Sequence, residues 1–286
     1  MSTEPTTQRV LFEGLLSKPV VAVLDQEHSS SDGGALLLQA ADRRLGLTAA
    51  LAACCRDRRQ ASKRSHALVE LFQQRVFGIA LGHPDANDAQ ALAEDPIHKL
   101  LLGRDPIEGR ALASQPTLSR FENAAGARDL YRMAERLADV VIERHRRRLG
   151  RRCRRITLDF DPTDDTTHGQ QELSFFHGYY DSYCYLPLVG TLCFNDEPEQ
   201  YLLCAVLRPG NSAAHAGLVA ILERVLAKLR SAFPRARLQV RLDGGFGAPA
   251  VLDFLDAAGV EYVVGLAATK PLRNRARRAL GTARRL

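Results

Sequence analysis

The 286-residue sequence lacks any long apolar run. Its longest, from Leu47 to Cys55, is far shorter than the roughly 20 residues that a membrane-spanning helix requires. The first ten residues are polar and contain no apolar segment of the kind found in signal peptides. We therefore expect a cytoplasmic protein with no membrane partner.

Paired cysteine motifs are also missing. The six cysteines form no CxxC pair and show no spacing suited to zinc. Several lie in predicted strands, where a free cysteine behaves as a small buried apolar residue. We expect neither disulfides nor a metal role for Cys54, Cys55, Cys153, Cys184, Cys193 and Cys204.

Lysine is scarce, since it accounts for only five of the 39 basic residues. The net charge is nevertheless +6 and the isoelectric point about 9.1, which favours a polyanionic partner. Arginine suits bidentate contacts to phosphate. A GC-rich genome would produce the same bias towards arginine, so the charge leaves both explanations open.

The chain length suggests about two domains, and the residue pattern changes near residue 150. Residues 1–150 show apolar positions at helical spacing, as in ALLLQAADRRLGL and HALVELFQQRVFGIALG. Apart from the short run Val20 to Leu24, no strand-like alternation is convincing there. We predict an all-α N-terminal region over 1–150 and a second domain over 151–286.

The second domain begins with three predicted strands, RITLDFD, FFHGYYDSYCYLPLVGTLCF and QYLLCAVLRPGN. The amphipathic helix HAGLVAILERVLAKLRSAF, the strand ARLQVRLDGGFG, the helix PAVLDFLDAAGV and the strand VEYVVGLAAT follow. Consecutive strands pair antiparallel, whereas a strand that follows a helix adds in parallel. The order β-β-β-α-β-α-β therefore predicts a mixed five-stranded sheet of the RNase H-like fold.

Two aspartates end predicted strands, Asp161 on the first and Asp243 on the fourth. If these strands are neighbours, the carboxylates meet at one edge of the sheet and repel each other unless cations neutralise them. Oxygen ligands suit Mg²⁺ or Mn²⁺, and a pair of such ions supports phosphodiester chemistry. We predict Asp161 and Asp243 as catalytic metal ligands, with Asp159 as a reserve ligand on the same strand face.

Candidate DNA contacts occur in two places. The segment LASQPTLSRFEN resembles a turn followed by a recognition helix, and an ordinary capped helix would look the same. An arginine cluster between the two predicted domains fits a phosphate-binding hinge or a solvated helix end. The residues expected to contact DNA are Thr117, Ser119, Arg120, Arg147, Arg148, Arg151 and Arg152.

A family resemblance extends over about residues 30–278. ITLDFDPTDDTTHGQQ, LLCAVLRPGN, VRLDGGFG and GVEYVVGLAATKPLRNRAR resemble the DDE-type insertion-sequence transposases, as does the N-terminal DGGALLLQAADRRLGL. The resemblance places Asp161 in a D-x-T motif and Asp243 in a D-x-G-F motif. It implies metal-dependent hydrolysis at the element ends, followed by attack of the freed 3′-OH on target DNA.

The resemblance also implies partners and a location. Double-stranded DNA, as terminal inverted repeats and as target, would be the substrate. A homodimer, or a mixed dimer with a full-length transposase, would assemble on it. The protein would act in the cytoplasm at the nucleoid, with the region 1–150 binding the DNA ends.

One feature departs from the family pattern. Such transposases use a third acidic residue, a Glu on a helix after the fifth strand, whereas the tail LRNRARRALGTARRL contains neither Asp nor Glu. We expect a C-terminally truncated copy that is catalytically incomplete by itself. The alternative is a non-catalytic DNA-binding remnant that competes with or inhibits the full-length transposase.

Overall fold

The structure is a computed structural model that describes residues 9–12, 20–23, 28–266 and 269–284. The chain divides into two compact units, Met1–Asp129 and Leu130–Leu286. This division lies earlier than the predicted one at residue 150. Two predicted strands extend beyond the described residues, one at Leu24 and the other at residues 267–268.

The first unit contains a strand pair as well as helices, which corrects the prediction of an all-α region. Strand β1 (Arg9–Phe12) pairs antiparallel with β2 (Val20–Val23). Three of the four residues in β2 are valines, whose branched side chains favour extended backbone. The helices are α1 (Leu36–Leu45), α2 (Leu47–Ala52), α3 (Leu68–Ala80), α4 (Ala89–Leu92), α5 (Pro96–Leu101) and α6 (Gln115–Asn123).

Small clusters hold the helices of the first unit together. Leu71 on α3 is buried with Leu118 on α6, and Phe77 is buried with Leu101. The buried amide of Gln74 donates to the Ala113 carbonyl oxygen at 2.8 Å and accepts from the Ala113 N–H at 2.9 Å. This double hydrogen bond fixes the segment before α6 against α3.

The second unit is built on a five-stranded sheet with the order β10-β9-β3-β7-β8. Strand β3 pairs antiparallel with β7 and parallel with β9, so the predicted mixed five-stranded sheet is confirmed. The strands are β3 (Arg155–Pro162), β4 (Asp165–Thr166), β5 (Phe175–His177), β6 (Ser182–Tyr185), β7 (Leu188–Phe194), β8 (Tyr201–Val206), β9 (Arg237–Leu242) and β10 (Glu261–Val264). The helices are α7 (Ala127–Leu149), α8 (Leu218–Ala232), α9 (Pro249–Ala258) and α10 (Lys270–Ala283).

The predicted second strand, which ran continuously through residues 175–194, is interrupted. Its first part forms the hairpin β5–β6, which belongs to a separate three-stranded sheet with β4. The chain reverses before β6, where Asp181 has a φ of 52°. Pro187 then separates β6 from β7, since proline has no N–H to donate to a sheet. The three short strands β4, β5 and β6 therefore lie in the chain between β3 and β7, the first two strands of the large sheet.

Helix α7 packs into the core of the sheet unit. Ala138, Ile142 and Leu149 are buried in the same cluster as the strand residues Ile156 and Phe194. Ion pairs join α7 to α8 through Lys228, whose Nζ lies 2.5 Å from the Asp139 carboxylate and 3.1 Å from that of Glu135. The division between the units lies near the start of α7 rather than at residue 150, and buried apolar residues in the second half of this helix pack with the sheet.

Within the described residues, no helix combines the length and apolarity needed to cross a membrane. Among the described residues, Cys153, Cys184 and Cys204 are buried and Cys193 is half-buried. Burial raises the pKa of the Cys204 thiol to about 11, so it behaves as an apolar core residue.

Candidate metal centre

Asp161 and Asp243 lie at the same level of two adjacent strands. Phe160 and Leu242 are register partners in the parallel pair β3–β9, and each aspartate is the next residue along its chain. Asp161 is the second-last residue of β3 and Asp243 directly follows the last residue of β9, so both lie at the same edge of the sheet. The structure therefore brings together the two carboxylates that the sequence predicted as metal ligands.

The electrostatics of this edge agree with that proximity. Burial, and then the negative charge of Asp243, raise the pKa of the Asp161 carboxyl above its ordinary value. Among the described residues, no basic side chain forms an ion pair with either carboxylate. The oxygens of this pair thus remain available to a divalent cation, which fits the preference of Mg²⁺ and Mn²⁺ for oxygen ligands.

A glycine turn shapes the approach to Asp243. The Asp243 carboxylate accepts a hydrogen bond of 2.9 Å from the Gly245 N–H and caps a short 3₁₀ turn, Gly244–Phe246. A Cβ at residue 245 would lie 2.9 Å from the Ala214 Cβ and 3.2 Å from Asp243 Oδ1. Only glycine fits this position without displacing a neighbour, so the turn and the carboxylate are held in one arrangement.

Asp159, the reserve ligand, is already paired. Arg241 donates from Nε to Asp159 Oδ1 at 2.6 Å and from Nη2 to Oδ2 at 2.7 Å. The Asp159 carboxylate, as hydrogen-bond acceptor, raises the pKa of the Arg241 guanidinium. Both oxygens of Asp159 are engaged in a bidentate pair, which makes Asp161 the available ligand on β3.

Tyr180 lies beside the acidic pair and was not singled out from the sequence. Burial raises the pKa of its phenol, and the charges of Asp164, Asp161 and, more weakly, Asp243 add to the shift. The Tyr180 hydroxyl donates to the Pro162 carbonyl oxygen at 3.4 Å. Its sequence context, two adjacent tyrosines in a turn, carried no signal because the inserted hairpin was predicted as continuous strand.

Arg208 supports the loop behind Gly245, and it was also missed from the sequence. This buried guanidinium donates from Nη1 to the carbonyl oxygens of Ala214 and Ala216 at 2.9 and 3.0 Å, and from Nε to that of Leu186 at 2.9 Å. Burial lowers its pKa. Arg208 thereby holds Ala214 against the glycine turn that carries Asp243.

The arginines predicted to bind DNA have exposed side chains at the end of α7 and just after it. Arg148 forms an ion pair with Glu197, and Arg152 donates from Nη2 to the Arg148 carbonyl oxygen at 2.7 Å. In the part of the chain that the structure describes, Arg147 and Arg151 have no acidic partner. The cluster thus contains both paired and unpaired cations.

The other predicted DNA contacts lie on α6, as expected from the segment LASQPTLSRFEN. Ser114 occupies the N-cap position, and its hydroxyl lies 3.2 Å from that of Thr117. Ser119 is half-buried and its carbonyl oxygen accepts from the Asn123 side chain at 2.9 Å, whereas Arg120 is exposed. This geometry suits an ordinary helix with one exposed cation in its last turn.

The chain belongs to the family described as transposase DDE domain group 1, which it matches over residues 12–285. This match confirms the resemblance to DDE transposases. The expected truncation stays a prediction. No curated protein matches the sequence significantly.

Solved transposase structures are also similar to the chain. One is the piggyBac transposase in a synaptic complex with hairpin DNA, at 11% identity and a TM-score of 0.35, covering 85% of this chain and 53% of that one. Another is the Mos1 mariner paired-end complex with Mn, at 13% identity and a TM-score of 0.26, covering 89% and 85%. The chain therefore spans about half the length of the piggyBac protein.

Proposed function

We propose that this chain is the DNA strand-transfer protein of an insertion sequence, with an RNase H-like catalytic unit. Family membership supports a transposase, and the order β10-β9-β3-β7-β8 supports that fold. The observation that carries the proposal is the placement of Asp161 and Asp243 at aligned ends of the adjacent parallel strands β3 and β9.

In this proposal Asp161 and Asp243 hold Mg²⁺ or Mn²⁺ at the sheet edge. A divalent cation bound there would neutralise charge on a phosphodiester and lower the pKa of bound water. The reaction is hydrolysis of one strand at the element end, in which water attacks phosphorus and a 3′-OH is released. That 3′-OH then attacks a target phosphodiester, so neither reaction needs a covalent protein intermediate.

In this proposal, residues around the acidic pair position the DNA strand. The glycine turn after Asp243 presents backbone rather than side chain, which allows close approach of a bulky phosphodiester. The hairpin β5–β6 beside the site exposes aromatic rings, with Tyr179 at 86% and Tyr183 at 62% exposure. Aromatic faces stack on unpaired bases. We expect Tyr179→Ala to weaken binding of single-stranded oligonucleotides, measured by fluorescence anisotropy, and unchanged binding would contradict this role.

Double-stranded DNA is the proposed partner, as terminal inverted repeats and target, in the cytoplasm at the nucleoid. The unpaired cations Arg147 and Arg151 on the second unit, and Arg120 on α6, are proposed phosphate contacts. A homodimer, or a mixed dimer with a full-length transposase, is the proposed assembly.

The proposal also includes weak or absent turnover by this chain alone. The sequence contains no Asp or Glu after Glu261, and helix α10 is rich in arginine. Residues 262–286, which follow the start of the fifth strand, therefore contain no carboxylate side chain. This same observation favours the second candidate function, a non-catalytic DNA-binding protein that occupies element ends and inhibits a complete transposase.

The test compares the wild-type chain with the double variant Asp161→Asn/Asp243→Asn. Mn²⁺ binding is measured by electron paramagnetic resonance, and nicking of DNA that carries the element's terminal repeats is followed on gels. We expect Mn²⁺ binding that the double variant loses, duplex binding by both proteins, and little nicking. Equal Mn²⁺ binding by the two proteins would refute the metal centre. Robust nicking that requires Asp161 would refute the inferred inactivity and favour the enzyme over the inhibitor.

A further inference from the structure

Three side chains from separate segments of the first unit converge on one point. His98 Nε2 lies 2.9 Å from Asp32 Oδ2, and His83 Nε2 lies 3.3 Å from the same oxygen. One ligand atom from each of the three residues lies within 4.8 Å of the other two. We propose that Asp32, His83 and His98 form a second metal site, of the class that binds Zn²⁺ through nitrogen and oxygen ligands.

The distances agree with coordination chemistry. Zinc binds His nitrogen and carboxylate oxygen at about 2.0–2.2 Å, which in a tetrahedron places ligand atoms roughly 3.3–3.5 Å apart. The two observed separations, 2.9 and 3.3 Å, are close to that value. Small side-chain movements would therefore open the cluster around an ion. Two imidazoles and one carboxylate also favour a zinc-like ion over Mg²⁺, which prefers oxygen ligands throughout.

The backbone around each ligand is already fixed. The Asp32 N–H donates to the Ser30 hydroxyl at 3.2 Å, and the Asp32 carbonyl oxygen accepts from the Ala35 N–H at 2.8 Å. The His98 N–H donates at 2.9 Å to Asp95, the N-cap of α5. The His83 N–H donates to the Gly78 carbonyl oxygen, also at 2.9 Å. A site whose ligands are held in advance loses little conformational entropy when it binds an ion.

Burial gives the site an inner and an outer side. The His98 side chain is 1% exposed and that of Asp32 is 16% exposed, whereas the His83 side chain is 31% exposed. Three protein ligands leave a fourth coordination position, which water can fill from the exposed side near His83. The ion would join the loop before α1, the turn after α3 and helix α5, so its role is to stabilise the first unit.

The site is independent of the acidic pair in the second unit, and the test uses that independence. The full chain in the Asp161→Asn/Asp243→Asn background is freed of metal with a chelator. It is then titrated with Co²⁺, whose visible absorption reports bound nitrogen ligands, and with Zn²⁺ in competition with a chromogenic chelator. We expect one ion per chain and a rise of several degrees in the thermal midpoint with Zn²⁺.

Three variants decide the outcome. His83→Gln changes the most exposed ligand and is expected to abolish the Co²⁺ spectrum. It should also weaken Zn²⁺ binding by roughly 100-fold or more, which exceeds the usual cost of losing a residue that only hydrogen-bonds to a metal ligand. Asp32→Asn should behave in the same way. The control is His66→Gln, which changes a histidine outside the cluster and should bind Co²⁺ and Zn²⁺ like the parent protein. No bound ion in the parent, or an unchanged spectrum in His83→Gln, would overturn the proposal and leave Asp32 as a hydrogen-bond acceptor between two histidines.

Discussion

Arg241 on β9 donates from Nε and Nη2 to the two carboxylate oxygens of Asp159 on β3, at 2.6 and 2.7 Å. Asp161 lies two residues further along the same strand and has no such partner among the described side chains. The two aspartates share a strand face, but Arg241 on the neighbouring strand neutralises the charge of Asp159 and not that of Asp161. This difference makes the first metal ligand a testable assignment.

The first prediction compares these two aspartates. Asp161→Asn should weaken Mn²⁺ binding by more than the roughly 10- to 100-fold that loss of an outer-shell partner costs. Asp159→Asn should leave Mn²⁺ affinity within that outer-shell range, because its carboxylate is already occupied by Arg241. Isothermal titration of Mn²⁺ into each variant measures the difference. A larger loss in Asp159→Asn than in Asp161→Asn would reverse the assignment.

The second prediction concerns the glycine turn. Gly245→Ala places a Cβ 2.9 Å from the Ala214 Cβ and 3.2 Å from Asp243 Oδ1, so the carboxylate or the loop must move. We expect weaker Mn²⁺ binding with an unchanged far-ultraviolet circular dichroism spectrum. Gly244→Ala is the matched control, since its nearest contact, the Gly265 carbonyl oxygen at 3.6 Å, is ordinary. If both variants bind Mn²⁺ like the wild type, the turn does not position Asp243.

The third prediction concerns core packing beneath the site. A Cβ at Gly190 on β7 would lie 2.5 Å from Phe160 Cε1 and 3.0 Å from Cys204 Sγ. Overpacking of this kind costs about 1–3 kcal/mol, so Gly190→Ala should lower the urea midpoint followed by circular dichroism. Gly178→Ala, where nothing lies within 4 Å, should have a much smaller effect. Equal midpoints for the two variants would mean that the strand relaxes freely.

The fourth prediction concerns pH and a buried histidine. His145 on α7 is stacked on Phe194 with ring centroids 4.1 Å apart, and its Nδ1 lies 2.8 Å from the Val141 carbonyl oxygen. Burial lowers the pKa of His145 below its ordinary value, and the Val141 hydrogen bond offsets part of this shift. Of the charged groups near it, Arg148 and Arg144 lower the pKa further and Glu197 raises it.

The direction of the pH effect on stability depends on whether the folded or the unfolded chain binds a proton at His145 more tightly. The unfolded chain protonates His145 near the ordinary pKa of about 6.5, while the folded protein resists protonation. Stability should therefore fall as the pH drops below about 6.5, until the folded pKa is reached. His145→Phe keeps an aromatic stack without a titrating group, so its urea midpoint should fall less between pH 7.5 and 5.5. Parallel declines for the two proteins would exclude His145 as the cause.

The fifth prediction concerns the arginines at and just after the end of α7, of which some have an acidic partner and others do not. In binding to a duplex oligonucleotide, each neutralised phosphate contributes a slope of about −0.9 to log K against log salt. Arg147→Gln and Arg151→Gln should each reduce the slope by up to that amount. Arg148→Gln should change it less, since Arg148 is paired with Glu197. Slopes that do not change in Arg147→Gln and Arg151→Gln would assign the cluster to a solvated helix end.

The sequence predicted the large sheet well because its strands carry alternating or continuous apolar residues with aspartates at their ends. Ile156, Leu158 and Phe160 specify the buried face of β3, and that alternation fixes which face carries Asp161. Chain connectivity predicts the antiparallel and parallel pairings, whereas the adjacency of β3 and β9 came from the fold class assumed for the sequence. The alignment of Asp161 and Asp243 on neighbouring strands was therefore predictable from local pattern and topology together.

The features that escaped prediction depend on contacts between distant residues. The pairing of Arg241 with Asp159 requires the register of β3 against β9, and the convergence of Asp32, His83 and His98 requires the packing of the first unit. The hairpin β5–β6 was missed because its aromatic residues favour strands whether or not they join the large sheet. Periodicity records burial and element type, but it does not record which side chains meet.

The burial of Ala138, Ile142 and Leu149 has a practical meaning for how this chain could be divided. A fragment that starts at residue 151 would lack α7, so the apolar surface around Phe194 would be exposed to water and the fragment would tend to aggregate. Cutting ahead of α7 would instead keep the arginine-rich helix end on the same rigid body as Asp161 and Asp243. The cationic end of α7 and the acidic edge of the sheet therefore belong to one unit, separate from the N-terminal helices.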